Sequence, residues 1–206
     1  NNTIMPRTKA IEKVLTFEDY CDFEEKSSFR HEFQNGKLVI MAGGTPNHAI
    51  LISILSHYLW QAVLNQSEPI SVFGSELKIF IEAINEGLYP DLVVVLGDKE
   101  YTSNGKAIQN PAIIIEVLSD STGNYDRGDK FKKYKNIPSF QEYILVEQNQ
   151  PVIDVLHKNQ AGKWEIDSFI GLEDELQLNT IDIKIPLSKI YQHVDNLQTP
   201  QFKIDL

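Results

Sequence analysis

Tyr89-Pro90-Asp91-Leu92-Val93-Val94-Val95-Leu96 and Pro111-Ala112-Ile113-Ile114-Ile115-Glu116-Val117-Leu118 decide the fold. Each is an almost unbroken run of Val, Ile and Leu, which is how strands covered on both faces read. The stretch between them, Gly97–Asn110, is polar, carries Asn104-Gly105 and predicts a loop. Taken as antiparallel neighbours with Leu96 opposite Pro111, the two strands place Asp91 opposite Glu116. Directly opposed residues share a face with Cβ atoms about 4.5–5.5 Å apart, so two carboxylates would converge at one end of the sheet. Like charges that close raise one pKa unless a cation compensates. Magnesium, which prefers hard oxygen ligands, is the natural compensator. The plainer readings are that Asp91 caps a turn after Pro90, and that Glu116 forms a structural ion pair with a downstream lysine.

Working outward, Ile70–Ile81 alternates around Val72, Gly74, Glu76, Lys78 and Phe80 and predicts a strand. Upstream, Leu51, Ile54, Leu55, Tyr58, Leu59 and Ala62 recur at helical spacing and predict a helix over His48–Asn65. Asn35-Gly36 inside His31–Met41 predicts a hairpin, because both turn positions need positive φ. Thr16 with Asp19 three residues on predicts a helix start, then helix over Phe17–Glu25. Downstream come a charged helix over Asp126–Asn136, a strand over Phe140–Val146, a hairpin of Pro151–His157 with Trp164–Ile170, a β-rich stretch, and a short helix over Leu187–Val194. This order predicts an α/β fold: a mixed β-sheet flanked by helices, with an N-terminal hairpin and a C-terminal β extension. One domain over residues 1–206 is expected, with its core at about 30–147 and the extension at about 150–194.

Composition narrows the function. With 206 residues, 42% hydrophobic and 23% charged, the chain can bury a sizeable core. No apolar run is long enough to span a bilayer, so no membrane partner is expected. No apolar signal-peptide core follows the N-terminal Asn-Asn-Thr-Ile-Met-Pro-Arg, and the low cysteine usage fits an expected reducing cytoplasm. The single cysteine, Cys21, excludes an internal disulfide and a cysteine metal cluster. A net charge of −10 argues against binding nucleic acid through the whole surface. It leaves room for a local patch, and Arg127, Lys130, Lys132, Lys133 and Lys135 are the only dense one. Phosphate-binding glycine loops, a dinucleotide fingerprint, a zincin pair and a nucleophile elbow are all absent from the sequence.

The Tyr89–Leu96 run, Ile115-Glu116-Val117-Leu118-Ser119-Asp120-Ser121-Thr122, and Tyr125-Asp126-Arg127-Gly128-Asp129-Lys130-Phe131-Lys132-Lys133-Tyr134 follow one another in a characteristic series. Ile137-Pro138-Ser139 and Glu142-Tyr143 continue it, and His31-Glu32-Phe33-Gln34-Asn35-Gly36-Lys37-Leu38-Val39 and His48 precede it. The series resembles the Uma-two family of restriction endonuclease-like proteins over about Leu15 to Tyr191. The resemblance implies a PD-(D/E)XK nuclease fold, with Asp91 and Glu116 holding magnesium (manganese as a substitute) and DNA as the substrate. The parent motif has a lysine two residues after the second carboxylate, where this chain has Leu118. The family pattern Asp126–Lys130–Tyr134 points to Lys130 as its replacement and third catalytic residue. On a helical wheel Lys130 flanks the apolar side of Phe131 and Tyr134, Arg127 projects toward the same side, Lys132 and Lys133 point away, and Lys135 sits on the other flank. Arg127, Lys133 and Lys135 are then expected along the phosphate backbone, with Glu32, His48 and Glu76 behind the metal ligands. The plainer reading makes all these lysines a solvated helix face. Two rivals stand beside the nuclease: an inactive nuclease fold serving as a DNA-binding or protein-interaction module, and a metal-free acid/base hydrolase using the carboxylate pair. A homodimer is expected, covering apolar surface around Trp164 and Phe169.

Overall fold

A computed structural model describes residues 15–41, 43–64, 66–119 and 122–200. The N-terminal leader reading and the helix end at Asn65 fall outside them. Helix α1 (Phe17–Glu24) precedes the hairpin of β1 (His31–Gln34) and β2 (Lys37–Ile40), and α2 (Pro46–Val63) follows. Then come β3 (Ile70–Phe73), β4 (Lys78–Ile81), β5 (Glu86–Leu88), β6 (Leu92–Leu96), β7 (Ala107–Ile108) and β8 (Ile113–Leu118). Helix α3 is continuous through three segments, Gly123–Tyr125, Asp126–Lys130 and Phe131–Tyr134, the middle one a π turn. The chain ends with β9 (Glu142–Glu147), β10 (Val152–Lys158), β11 (Trp164–Ile170), β12 (Glu175–Leu178), β13 (Ile183–Pro186) and α4 (Leu187–Ile190).

Local chemistry sets the early elements. Asp19 N–H donates to the Thr16 hydroxyl and Thr16 N–H to the Asp19 carboxylate, both at 3.1 Å, closing the capping box. The hairpin turns on Asn35 and Gly36, with φ of 50° and 73°. Thr45 caps α2 by accepting from His48 N–H at 3.1 Å, with Pro46 in the first turn.

The strands divide into sheets ordered β11-β10-β9-β8-β6-β3 and β2-β1-β5-β4-β7, with β12 and β13 as a separate pair. In the first sheet β6 is antiparallel to β8, with Leu92 opposite Ile115 and Val94 opposite Ile113. One step further along that register, Asp91 stands opposite Glu116, as the strand pattern predicts. Strands β8 and β9 are parallel, which requires a crossover, and α3 is that crossover. Alternation along β8 sorts the two faces. Ile113, Ile115 and Val117 pack with Leu51, Leu55, Leu59 and Val63 of α2. Ile114 and Leu118 pack with Tyr134, Ile137 and Phe140 beneath α3. Glu116 has the parity of the second face. Each fully buried leucine of α2 contributes about 1.5–3 kcal/mol, and that seam fixes the helix start that carries His48.

The structure departs from the sequence reading in several places. Ile70–Ile81 is not one strand: β3 and β4 lie in different sheets, separated by a turn in which Leu77 N–H donates to Gly74 O at 3.2 Å. Burial changes parity across it, Val72 before and Ile79 and Ile81 after, so an unbroken alternation could not have served both sheets. The Gly97–Asn110 loop contains β7, which pairs with β4 in parallel. The α3 helix starts earlier than Asp126 and ends at Tyr134 rather than Asn136. The last helix stops at Ile190 rather than Val194. Trp164 packs at 4.9 Å from the Phe131 ring and Phe169 packs against the α2 core, and both stay partly exposed. Among the described residues no helix is long and apolar enough to cross a membrane.

Candidate active site

Asp91 lies just ahead of β6, and one of its oxygens is held twice. Val117 N–H donates to Oδ2 at 2.7 Å, and His48 Nε2 lies 3.1 Å from the same atom. The first contact extends the β6–β8 ladder with a side chain. The second comes from the opening turn of α2, so His48 joins the helix on one face to the strand end. The hydrogen bond to Asp91 raises the His48 pKa, while burial pulls the other way. Gly44 leaves room for the ring: a Cβ there would stand 2.8 Å from His48 Nδ1. Gly44→Ala is therefore expected to displace the imidazole and lower its pKa without unfolding the chain, since the clash is with a side-chain ring. An NMR titration of His48 that is unchanged in this variant would show that the ring is held by something other than this packing.

Glu116 enters the same space from β8 and is only 3% exposed. Its Oε1 accepts from Tyr134 O–H at 3.1 Å and lies 2.8 Å from Lys130 Nζ. The Lys130 ammonium also donates to Tyr89 O at 3.2 Å, and stands 3.5 Å from Asp126 Oδ1 and 3.7 Å from Glu32 Oε1. Burial alone would depress the Lys130 pKa, but Glu116, Glu32 and Asp126 override it and hold the lysine cationic. Burial pushes the Glu116 carboxyl well above the usual range; Lys130 opposes this, and Asp91 and Asp126 add to it. Asp126 is raised by burial too, with Lys130 and a bond from Thr122 opposing. Glu32 is buried on β1, where Oε2 accepts from Gln34 Nε2 at 2.7 Å and Tyr125 O–H at 3.3 Å.

Together these side chains line a pocket of about 400 Å³. Among the described lining residues, four carboxyl groups, Glu32, Asp91, Glu116 and Asp126, share the pocket with two basic groups, Lys130 and His48. Among the described residues no three His, Cys, Asp or Glu form a ready-made metal cage. A magnesium ion does not need one, because it keeps several waters and takes one or two carboxylates. The donor set fits such an ion: the carboxylates of Asp91 and Glu116 line the same pocket, and the bonds described above use one oxygen of each, Asp91 Oδ2 and Glu116 Oε1.

The remaining predicted residues lie elsewhere. Glu76 is in the turn between β3 and β4, 85% exposed on its side chain and paired with Arg30, so it does not extend the carboxylate cluster. Arg127 pairs with Glu147 and, at 3.0 Å, with Asp154, not with Glu116. Lys133 turns inward: Nζ lies 2.8 Å from Glu86 Oε2, donates to Gln34 Oε1 at 2.9 Å, and sits over the Tyr125 ring. Lys135 lies 5.3 Å above the Phe131 ring. The helical wheel fails at Lys133 because the π turn adds a residue to one turn, which rotates everything after it. So α3 borders the pocket through Asp126 and Lys130, while Arg127, Lys132 and Lys133 are paired with carboxylates. Asp126, Tyr125 and Tyr134 are functional candidates that the charge pattern alone passed over. The pairing of Asp126 and Lys130 at i, i+4 was the available clue. Cys21 is buried in α1, and burial raises its thiol pKa.

The Uma2 family model, described as "Putative restriction endonuclease", matches residues 17–188. The uncharacterized protein slr1290 of Synechocystis is 34% identical over 178 residues, covering 86% of this chain and 92% of that protein. The uncharacterized protein sll1609 of the same organism is 30% identical over 175 residues, covering 84% and 98%. A crystal structure from Anabaena variabilis, described as "a putative nuclease belonging to DUF820", aligns with a TM-score of 0.69 over 86% of this chain and 98% of that one. At 14% identity that likeness concerns the fold alone. Since the family match spans the hairpin, both carboxylate strands and α3, the chain belongs to the Uma2 family.

Proposed function

We propose that this chain is a magnesium-dependent endodeoxyribonuclease of PD-(D/E)XK type, hydrolysing phosphodiester bonds at Asp91, Glu116 and Lys130. One observation carries this reading: a lysine from α3 sits 2.8 Å from Glu116 inside a carboxylate cluster that it only partly neutralises. Leu118 therefore does not leave the site without a cation. The side chain that the strand lacks is delivered by the crossover helix. Asp91 and Glu116 would hold magnesium, with manganese able to substitute. When bound, the ion supplies Lewis-acid polarisation of the phosphate and a water of lowered pKa. Lys130, held cationic by its neighbours, stabilises the charge that develops on the phosphate oxygens. Tyr134 and the Tyr89 carbonyl fix Glu116 and Lys130 relative to each other, and His48 holds Asp91 against the end of β8.

The test is plasmid cleavage alongside thermal denaturation, each with magnesium and with chelator. Cleavage that needs the ion is expected, with a stabilisation of about 2.7 kcal/mol at a hundredfold excess over Kd. Cleavage persisting in chelator would favour the metal-free acid/base pair. Stabilisation by magnesium with no cleavage of any nucleic acid would favour the inactive module.

A further inference from the structure

The cleft continues beyond the carboxylates. Past Met41, Gly43, Gly44, His48 and Tyr89 it opens into a second depression of about 710 Å³. Both volumes lie in the range of about 300–1,000 Å³ typical of clefts that take small molecules. The wall along both is formed by the end of β2 and the segment before β1, tied where Met41 N–H donates to Arg30 O at 2.8 Å. On it stand Phe29, Ile40 and Val39, respectively 66%, 62% and 42% exposed. Phe29 lines the second depression, and Val39 and Ile40 line the first. Large apolar side chains gathered at a cleft mouth mark a binding surface.

Charge decides what form of ligand suits it. Among the described residues, the only Lys or Arg lining the first depression is Lys130 and the only one lining the second is Arg30. Lys130 is enclosed by carboxylates, and Arg30 is bound to Glu76 and donates to Ser75 O at 3.0 Å. Two of the cations on the nearby helix are committed as well, Arg127 to Glu147 and Asp154 and Lys133 to Glu86, and neither Lys132 nor Lys135 lines either depression. A duplex carries one charge per about 1.7 Å and a single strand one per about 3.4 Å. A duplex also hides its base faces, whereas unpaired bases stack on apolar and aromatic side chains whatever their sequence. An acidic pocket with an apolar lip, and one carboxylate-bound cation lining each depression, suits the second kind of ligand. Resting on the nuclease reading above, we propose that Phe29, Val39 and Ile40 form a base-stacking lip, and that the site takes single-stranded or unpaired nucleic acid in preference to intact duplex.

Anisotropy with labelled oligonucleotides in calcium measures binding without relying on turnover, and cleavage is then read in magnesium. A single strand should bind about tenfold more tightly than the blunt duplex of the same sequence. Its salt dependence should be shallow, corresponding to about one or two phosphates. Phe29→Ala and Ile40→Ser should each weaken strand binding about fivefold or more, raising KM with kcat unchanged, and Phe29→Trp should restore it. Equal or tighter duplex binding, a steep salt slope, or unchanged affinity in both lip variants would overturn the proposal. So would light scattering that shows a dimer split by Ile40→Ser, since a second copy would then cover the lip. A strand bound in this way but never cut supports the lip and refutes the nuclease. Duplex cut while strand is neither bound nor cut refutes the lip and leaves the nuclease standing.

Discussion

Lys130→Ala is expected to lower stability by about 3–5 kcal/mol at neutral pH and to reduce cleavage by about two powers of ten or more. Both effects follow from the position of the ammonium, with a side chain 6% exposed and Glu116, Asp126 and Glu32 around it. A cation on the flank of a charged helix would have left folding intact when removed. One that compensates three buried carboxylates cannot. The deficit should depend on pH with a definite sign. Without Lys130 the Glu116 carboxyl, already raised by burial, loses the main influence holding it down. A carboxyl whose folded pKa lies above its unfolded value binds more protons when folded, so the stability it contributes is full at low pH and is lost as pH rises through the folded pKa. The deficit should therefore widen from acid toward neutral pH, and magnesium should narrow it. Urea denaturation at several pH values, with and without the ion, measures both. A deficit that is flat with pH and below about 1 kcal/mol is what an exposed pair gives, and would contradict this account.

Asp91→Asn and Glu116→Gln should do the reverse to stability while removing cleavage by about three powers of ten. Each takes one negative charge from a crowded pocket and keeps an oxygen acceptor for its existing donors, Val117 N–H for Asp91 and Tyr134 O–H for Glu116. Without metal the variants should be as stable as the parent or more so, the usual relation between strained sites and activity. Stabilisation by magnesium should disappear. Glu116→Gln should also rescue part of the Lys130→Ala deficit, because residues in one charge network are not additive. Variants that cut at the parent rate with magnesium, or that unfold outright, would rule out the assignment of these two carboxylates.

The carboxylate pair was within reach of the sequence because two unbroken apolar strands stand out, and one assumed register, Leu96 opposite Pro111, puts Asp91 and Glu116 on one face; the structure has that register. Lys130 was legible through the family pattern rather than through its helix, whose wheel gave only a flank. What could not be read was long-range or irregular. The π turn at Asp126–Lys130 has no local sign in the residues that form it, so Lys133 was placed on the outward face although it turns inward. The break between β3 and β4 hides inside an alternating pattern, and Glu76 was misplaced with it. The partners that neutralise the basic patch, Glu86, Glu147 and Asp154, come from strands distant in sequence, and no spacing rule links them to α3.

The delivery of Lys130 by a crossover has a consequence for the order in which the molecule is assembled. Asp91 and Glu116 sit on adjacent antiparallel strands and can be brought together early, by closing a single loop. The lysine is different. Strand β9 is parallel to β8, so α3 settles on the sheet only when the chain beyond it has returned to lie alongside. A nascent or partly denatured chain can thus carry the paired acids without their cation. The charge balance of the pocket thus depends on a connection that spans the sheet, from β8 across to β9.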